Sequence, residues 1–374
     1  MNKRASCRCL LACLRPLRVS TTTPPLALGM GFNWDKHAGF FHRSLLNPGL
    51  PRQYTTADTQ RTTLAYFCVT GLDLIGKLDS CTEADRTTVK RWVLAQQVAG
   101  GDWRRRGFRG GPFGVVAEPS QTNGKDDADE GNLAATYSAL ATLVALDVDL
   151  TTGVDSDAIV RALESLQQED GSFKASASDS TCDVRFTYCA CAVSTILGNW
   201  SGVDRRKAAE YVERCYDFDG GIGMAPGREA CAGPTYCAVA SLKLLGVLEK
   251  LPIPRRQRIL EWCVNRQGVG FQGRPNKPED SCCSFWVGAT LALLDGLDLV
   301  DEARARQFHV SCQNRICAGG FAKAPGVPPD MLHSFYSISW LSLAGEAGVQ
   351  EMDAALGVTR RAAGRLRQNA AESR

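Results

Sequence analysis

The chain has 374 residues, 44% of them hydrophobic and 22% charged, enough to bury one large core or two ordinary ones. A net charge of +3 and a pI near 8.1 are too mild for a nucleic-acid binder, and no basic run is interleaved with aromatics as base stacking requires. No run of 18 apolar residues occurs, which argues against a membrane-spanning helix.

The first 34 residues lack Asp and Glu and carry Lys3, Arg4, Arg8, Arg15 and Arg18. That composition resembles an organellar transit peptide, but a loose basic extension or a mis-assigned start accounts for it as well, because an ordered body is expected to begin near Met30. We read residues 1–34 as a disordered extension, 35–360 as the folded domain, 361–374 as a tail, and the location as cytoplasmic. The 16 cysteines lie mostly in apolar helical runs such as FTYCACAVSTIL (186–197) and contain no CxxC, so they read as small buried hydrophobes in a reducing compartment. The short basic runs RRRGFR (104–109) and PRRQR (254–258) read as solvated faces or partner contacts.

DKHAGFFHRSLL (35–46) is expected to form a short amphipathic helix closed by Pro48 and Pro51, and TTLAYFCVTGLDLIGKL (62–78) a second, apolar one. Beyond them a repeat sets in. DGSF, DGGI, GVGF and AGGF end at Phe173, Ile222, Phe271 and Phe321, which are 49, 49 and 50 positions apart. Each is followed by a polar loop and an apolar helix marked by an aromatic: Tyr188, Tyr236, Trp286 and Tyr336, with Tyr137 one period earlier. Tyr137, Leu140, Leu143 and Leu146 share a helical face, and no segment alternates as a strand would. The expected architecture is all-α: five or six helix pairs closing into a ring, with the loops before the marked helices gathered at one end of a central cavity. The marked aromatics are expected to line a deep apolar cavity suited to a hydrocarbon.

Asp280, Cys282 and His333 stand at the starts of marked helices in adjacent repeats, so ring closure brings them together. A carboxylate, a thiolate and an imidazole suit zinc with one position left open, although Asp280 alone also reads as a helix cap, and Cys283 competes with Cys282. Arg274, Lys277 and Lys323 surround this trio with positive charge fit for an anion such as diphosphate. The acidic stretch KDDADEG (125–131) imitates a magnesium-binding motif of terpene synthases, but no second such motif faces it, and it reads as a solvated turn.

GRPNKPEDSCCSFWVGATL (273–291), QEDGSF (168–173), DVRFTYC with NWSGVD (183–189, 199–204), GGFAK (319–323) and DMLHSFYSISWLSL (330–343) together resemble the beta subunits of protein prenyltransferases, most of all the type I geranylgeranyl branch, over residues 35–360. The resemblance implies an alpha-alpha toroid (an α6/α6 barrel), one Zn2+ on Asp280, Cys282 and His333, and an obligate heterodimer with an alpha subunit. It implies transfer of a geranylgeranyl group from geranylgeranyl diphosphate to the cysteine of CaaX proteins ending in Leu, such as small GTPases. Lys323 stands where the farnesyl branch holds magnesium through an Asp, so Mg2+ is not expected to be required; Thr63 replaces a bulky Trp that shortens the farnesyl pocket, and Pro275 and Pro278 follow the type I loop pattern.

The implied substrate contacts are Cys231, Ala232, Gly233, Arg274, Lys277, Cys283, Ser284, Phe285, Trp286, Thr63, Tyr137 and Arg185, with Asn132, Ala134 and Phe186 walling the peptide's last residue. Three positions depart from the family: Asn132 and Cys231 replace histidines and Cys283 replaces a tyrosine. A thiol is a weak donor, and each lost hydrogen bond to a charged group costs roughly 1.5 to 3 kcal/mol, or about ten- to a hundredfold in rate if it acts in the transition state. Farnesyl or mixed specificity, and a non-catalytic prenyl-binding scaffold, are the competing readings.

Overall fold

The computed structural model describes residues 31–47, 50, 52–112, 129–314 and 319–372; the extension before residue 31 lies outside them. Twelve helices alternate between an outer and an inner layer. The outer ones are α1 (Trp34–Leu46), α3 (Glu83–Leu94), α5 (Ser156–Leu166), α7 (Arg205–Arg214), α9 (Ile253–Val264) and α11 (Glu302–Cys312). The inner ones are α2 (Arg61–Leu74), α4 (Leu133–Ala145), α6 (Val184–Ile196), α8 (Ala232–Leu244), α10 (Ser281–Leu293) and α12 (Met331–Leu343). Each inner helix packs on the next, α2 on α4 and so on to α12, which packs back on α2 and closes the ring.

The two layers follow from composition. In α5 only Ala158, Ile159, Val160, Ala162, Leu163 and Leu166 are buried, a stripe facing inward, and Asp155 caps its first turn by accepting from the Ala158 amide. In α4 every residue but Ala134 is buried, because this helix has two inner neighbours and an outer one. The single stripe expected from Tyr137, Leu140, Leu143 and Leu146 therefore becomes burial all round, made possible by small Ala, Ser and Thr side chains between the large ones.

The Gly-rich turns join one repeat to the next. Gly171 (φ +88) sits against the Lys207 carbonyl of α7, Gly220 (φ +103) against the Arg258 carbonyl of α9, and Gly319 (φ +72) against the Lys36 carbonyl of α1; a β-carbon at any of them would strike that backbone. The last of these contacts joins the final repeat to the first helix. Beside it His37 is fully buried, its Nδ1 accepting from the Gly320 amide at 2.9 Å and its Nε2 donating to Gln313 Oε1 at 3.0 Å.

Strands are limited among the described residues to two short pairs, β1 (Phe321–Ala322) with β2 (Pro329–Asp330), and β3 (Met352–Asp353) with β4 (Val358–Thr359). The stretch from 361, expected as a tail, belongs to a helix, α13 (Arg360–Glu372). Its Arg361 bonds Asp147, Asp73 and the Ala145 carbonyl, which fastens it to the ends of α2 and α4.

Two further expectations change. Arg109, expected on a solvated face, pairs with Asp129 at 2.7 Å and donates to the Ala95 carbonyl. Residues 125–128 of the acidic stretch lie outside the described residues, but Asp129 is held by Arg109 and Glu130 accepts from Ser176 Oγ at 2.8 Å, so these two acids are fastened to the fold. Every described cysteine is free and most are buried, Cys182, Cys231 and Cys282 being partly exposed. No helix of the described residues is long and apolar enough to cross a membrane.

Candidate active site

All inner helices begin at one end of the ring, and five of them start on residues in register: Asn132, Asp183, Cys231, Asp280 and Asp330 are their N-caps. Four of these caps accept amide hydrogen bonds from the first turn, whereas the Cys231 thiol makes none. Asp280 is thus a cap as well as a candidate ligand. Its Oδ1 accepts from the Cys282 amide at 3.0 Å and lies 3.3 Å from His333 Nε2.

The ligand atoms of Asp280, Cys282 and His333 all lie within 4.8 Å of one another, and all three residues are partly buried. Oxygen, sulfur and nitrogen donors with room for a fourth ligand fit a zinc ion. Cys283 does not join them. It is buried, with its sulfur near Gly273 and its free thiol against that of Cys282. That contact and burial push the Cys282 thiol up, while bonds from His333 and Cys282 outweigh burial and hold Asp280 down at about 2. Burial opposes charge on His333, yet the Asp280 and Asp330 carboxylates prevail and raise it.

Asp330 was not foreseen. Its Oδ2 accepts from His333 Nδ1 at 2.6 Å while its Oδ1 caps α12, so the imidazole turns Nε2 toward Asp280. The signal was present in the repeat, since Asp330 occupies in α12 the register that Asp280 occupies in α10. A second unforeseen residue is Glu229, which holds Arg274 at 2.8 Å.

Of the three expected cations, Lys323 contacts the trio and Arg274 is held by Glu229. The β1–β2 hairpin brings Lys323 to within 3.5 Å of Asp280 Oδ2, and the Lys323 carbonyl accepts from the Ser281 amide at 2.9 Å. Lys277 is exposed in the loop that turns at Asn276, whose φ is +61. Cys231 is partly buried next to Arg274, and burial raises its thiol. Ala232 and Ser284 are buried, while Gly233 is partly open.

Aromatic contacts run all the way round the lumen: Tyr66 to Tyr137, Tyr188 and Tyr236, on to Trp286 and Tyr336, and back through Phe67, with Phe285 behind. Thr63 lies in this wall and its hydroxyl is 3.2 Å from that of Ser138. Asn132, Ala134 and Phe186 stand at the same end, partly buried, with Arg185 stacked near Phe186 and paired to Asp183 at 2.7 Å. The expected deep cavity is corrected. The hydroxyls of Tyr66, Tyr137 and Tyr236 donate to the carbonyls of Gly357, Leu356 and Ala354, so the C-terminal segment fills the lumen below the tyrosines.

Residues 32–358 match the model of the prenyltransferase alpha-alpha toroid domain. The chain belongs to this family. Against curated proteins, the prenyltransferase chain is 37% identical over 352 residues to the geranylgeranyl transferase type-1 subunit beta of Arabidopsis thaliana, covering 90% of this chain and 92% of that one. It is 36% identical over 351 residues to the Dictyostelium discoideum protein of the same name, covering 90% and 98%. Among solved structures, the Candida albicans protein geranylgeranyltransferase-I complexed with GGPP superimposes with a TM-score of 0.80 at 25% identity, covering 91% of this chain and all of that one.

Proposed function

We propose that this prenyltransferase chain is the catalytic beta subunit of a zinc-dependent type I protein geranylgeranyltransferase, working in the cytoplasm as a heterodimer with an alpha subunit. The observation that carries the reading is the trio Asp280, Cys282 and His333, with Lys323 against Asp280, at the mouth of an aromatic-lined ring. The names of its relatives supply the prenyl group: two that cover nine tenths of the chain are geranylgeranyl transferase type-1 beta subunits.

In this reading Asp280, Cys282 and His333 hold zinc, and Asp330 fixes the tautomer of His333. Zinc, when bound, supplies a Lewis acid that favours the thiolate of the acceptor cysteine. The reaction forms a C–S bond to C1 of the prenyl group and breaks its C–O bond to diphosphate, with the thiol proton lost to solvent. Arg274, Lys277 and Lys323 offset the charge gathering on the departing diphosphate. Lys323 brings a fixed cation, so magnesium is not required. Thr63, Tyr137 and Trp286 contact the tail, with Phe285 backing that wall; Ala232, Gly233 and Ser284 approach the diphosphate from the helix starts; and Asn132, Ala134, Arg185 and Phe186 meet the CaaX peptide, with Leu preferred at its end.

Cys231 and Cys283 favour one second reading, a prenyl-binding scaffold without turnover. The test is to purify the chain with its alpha partner, measure zinc, and follow transfer to peptides ending in Leu, Ser or Met with and without magnesium. About one zinc per heterodimer and magnesium-independent transfer to the Leu peptide are expected. Bound zinc with no transfer to any peptide would establish the scaffold instead.

A further inference from the structure

The lumen of the ring is stoppered from the end where the inner helices finish. Arg361 donates to the carbonyl of Ala145, the last residue of α4, whereas Leu356 accepts from Tyr137, eight residues earlier in that helix, so the segment between them reaches about 12 Å into the ring. At its tip it meets a linked row of phenols. Tyr188 bonds Tyr137 at 3.2 Å and Tyr236 at 3.3 Å, while Tyr66, Tyr137 and Tyr236 donate to the carbonyls of Gly357, Leu356 and Ala354 at 2.6, 2.9 and 3.0 Å.

This tip is fixed from both sides. The β3–β4 pairing holds its base, Thr359 Oγ1 donates to Asp73 at 2.6 Å, and Arg361 bonds Asp73 and Asp147 at 3.0 and 2.7 Å. Gly357 has φ +69, and a β-carbon there would lie 2.6 Å from the Tyr137 hydroxyl and 2.7 Å from that of Tyr66. Only glycine lets the segment rest at this height against the phenols. Tyr137 is the fifth residue of α4, so about 7 Å of helix separates this floor from the mouth, and a four-isoprene tail must lie across the floor instead of descending past it.

We propose that residues 354–357 are the length stop for the prenyl tail and that Gly357 is a specificity-determining residue. The inference rests on the geranylgeranyl reading above. Thr63 and Ser138 face each other between α2 and α4 at 3.2 Å as small side chains, and the C-terminal tip sets how far down the lumen a tail can reach beside them. Selection by tail length in this chain thus depends on a segment remote from the metal and from the cations.

The test uses the heterodimer with farnesyl, geranylgeranyl and geranylfarnesyl diphosphates, comparing kcat/KM among donors at fixed peptide. Gly357→Ala raises the phenols, because the anchored tip cannot retreat, and is expected to shift selection toward the farnesyl donor by about tenfold, the discrimination one methyl-sized change gives in an apolar pocket. Arg361→Ala releases the anchor and is expected to improve use of the geranylfarnesyl donor while the KM for peptide stays unchanged. A shift in either variant in its stated direction supports the stop, and unchanged donor ratios in both overturn it. If Gly357→Ala does not fold, Arg361→Ala decides alone. A wild-type complex that uses no prenyl donor overturns the proposed function and this inference with it; one that transfers geranylgeranyl with ratios unmoved by the variants overturns the stop only.

Discussion

His333 offers two ring nitrogens, and Asp330 chooses between them by engaging Nδ1 and leaving Nε2 toward Asp280. Asp330→Ala should therefore weaken metal binding by about ten- to a hundredfold, read by competition with a chromogenic chelator; unchanged affinity would show that the imidazole is oriented by packing. Cys231 and Cys283 differ in what replacement can achieve. Cys231, unlike the four caps in register with it, makes no side-chain cap bond and stands next to Arg274, so Cys231→His should raise transfer by about tenfold in single-turnover assays. Cys283 is buried toward Gly273, so Cys283→Tyr must first displace that packing and should raise transfer less. Asp280, Cys282 and Lys323 were legible as a chemical set because their residue types are unusual together. Asp330 was legible only through the register it shares with Asp280, and Glu229, a carboxylate in the loop before Cys231, carried no mark at all.

Among the elements, the period near fifty located the inner helices, and the outer ones followed from the turns between them. The repeat could not show that inner helices are buried on every side, because a stripe and full burial differ only in what lies across the ring. Nor could it show the C-terminal segment entering the lumen, since AALGV (354–358) lacks both the turn signature and the aromatic mark of the repeat. The turn glycines were legible, though not what they touch. Gly319→Ala should cost more than about 1 kcal/mol of stability, measured by denaturant unfolding, because it strains a positive φ and presses on the Lys36 carbonyl. A neutral outcome would mean that α1 can shift without loosening the ring.

For the whole molecule, the seam between last repeat and first helix makes stability depend on pH. Burial lowers His37 to about 4, against its bond to Gln313, and burial lowers His309 to about 3. A histidine with a depressed folded pKa contributes stability that is present above its unfolded value of about 6.5 and lost as pH falls toward the folded one, because the unfolded chain then binds more protons. Each of the two should add a slope approaching about 1.4 kcal/mol per pH unit between pH 6 and 4, and a His37→Gln variant should show a shallower slope in the same titration. An identical slope would place the acid sensitivity elsewhere.

The ring, the metal trio and the cationic mouth together specify what should leave the active site. The most direct measurement is a one-pot competition: the purified heterodimer in magnesium-free buffer, equal farnesyl and geranylgeranyl diphosphates, one Leu-ending CaaX peptide, and mass analysis of the product. Peptide carrying predominantly the geranylgeranyl thioether is the expected result. Predominantly farnesylated peptide, or peptide left unmodified by a zinc-loaded complex, would contradict the account.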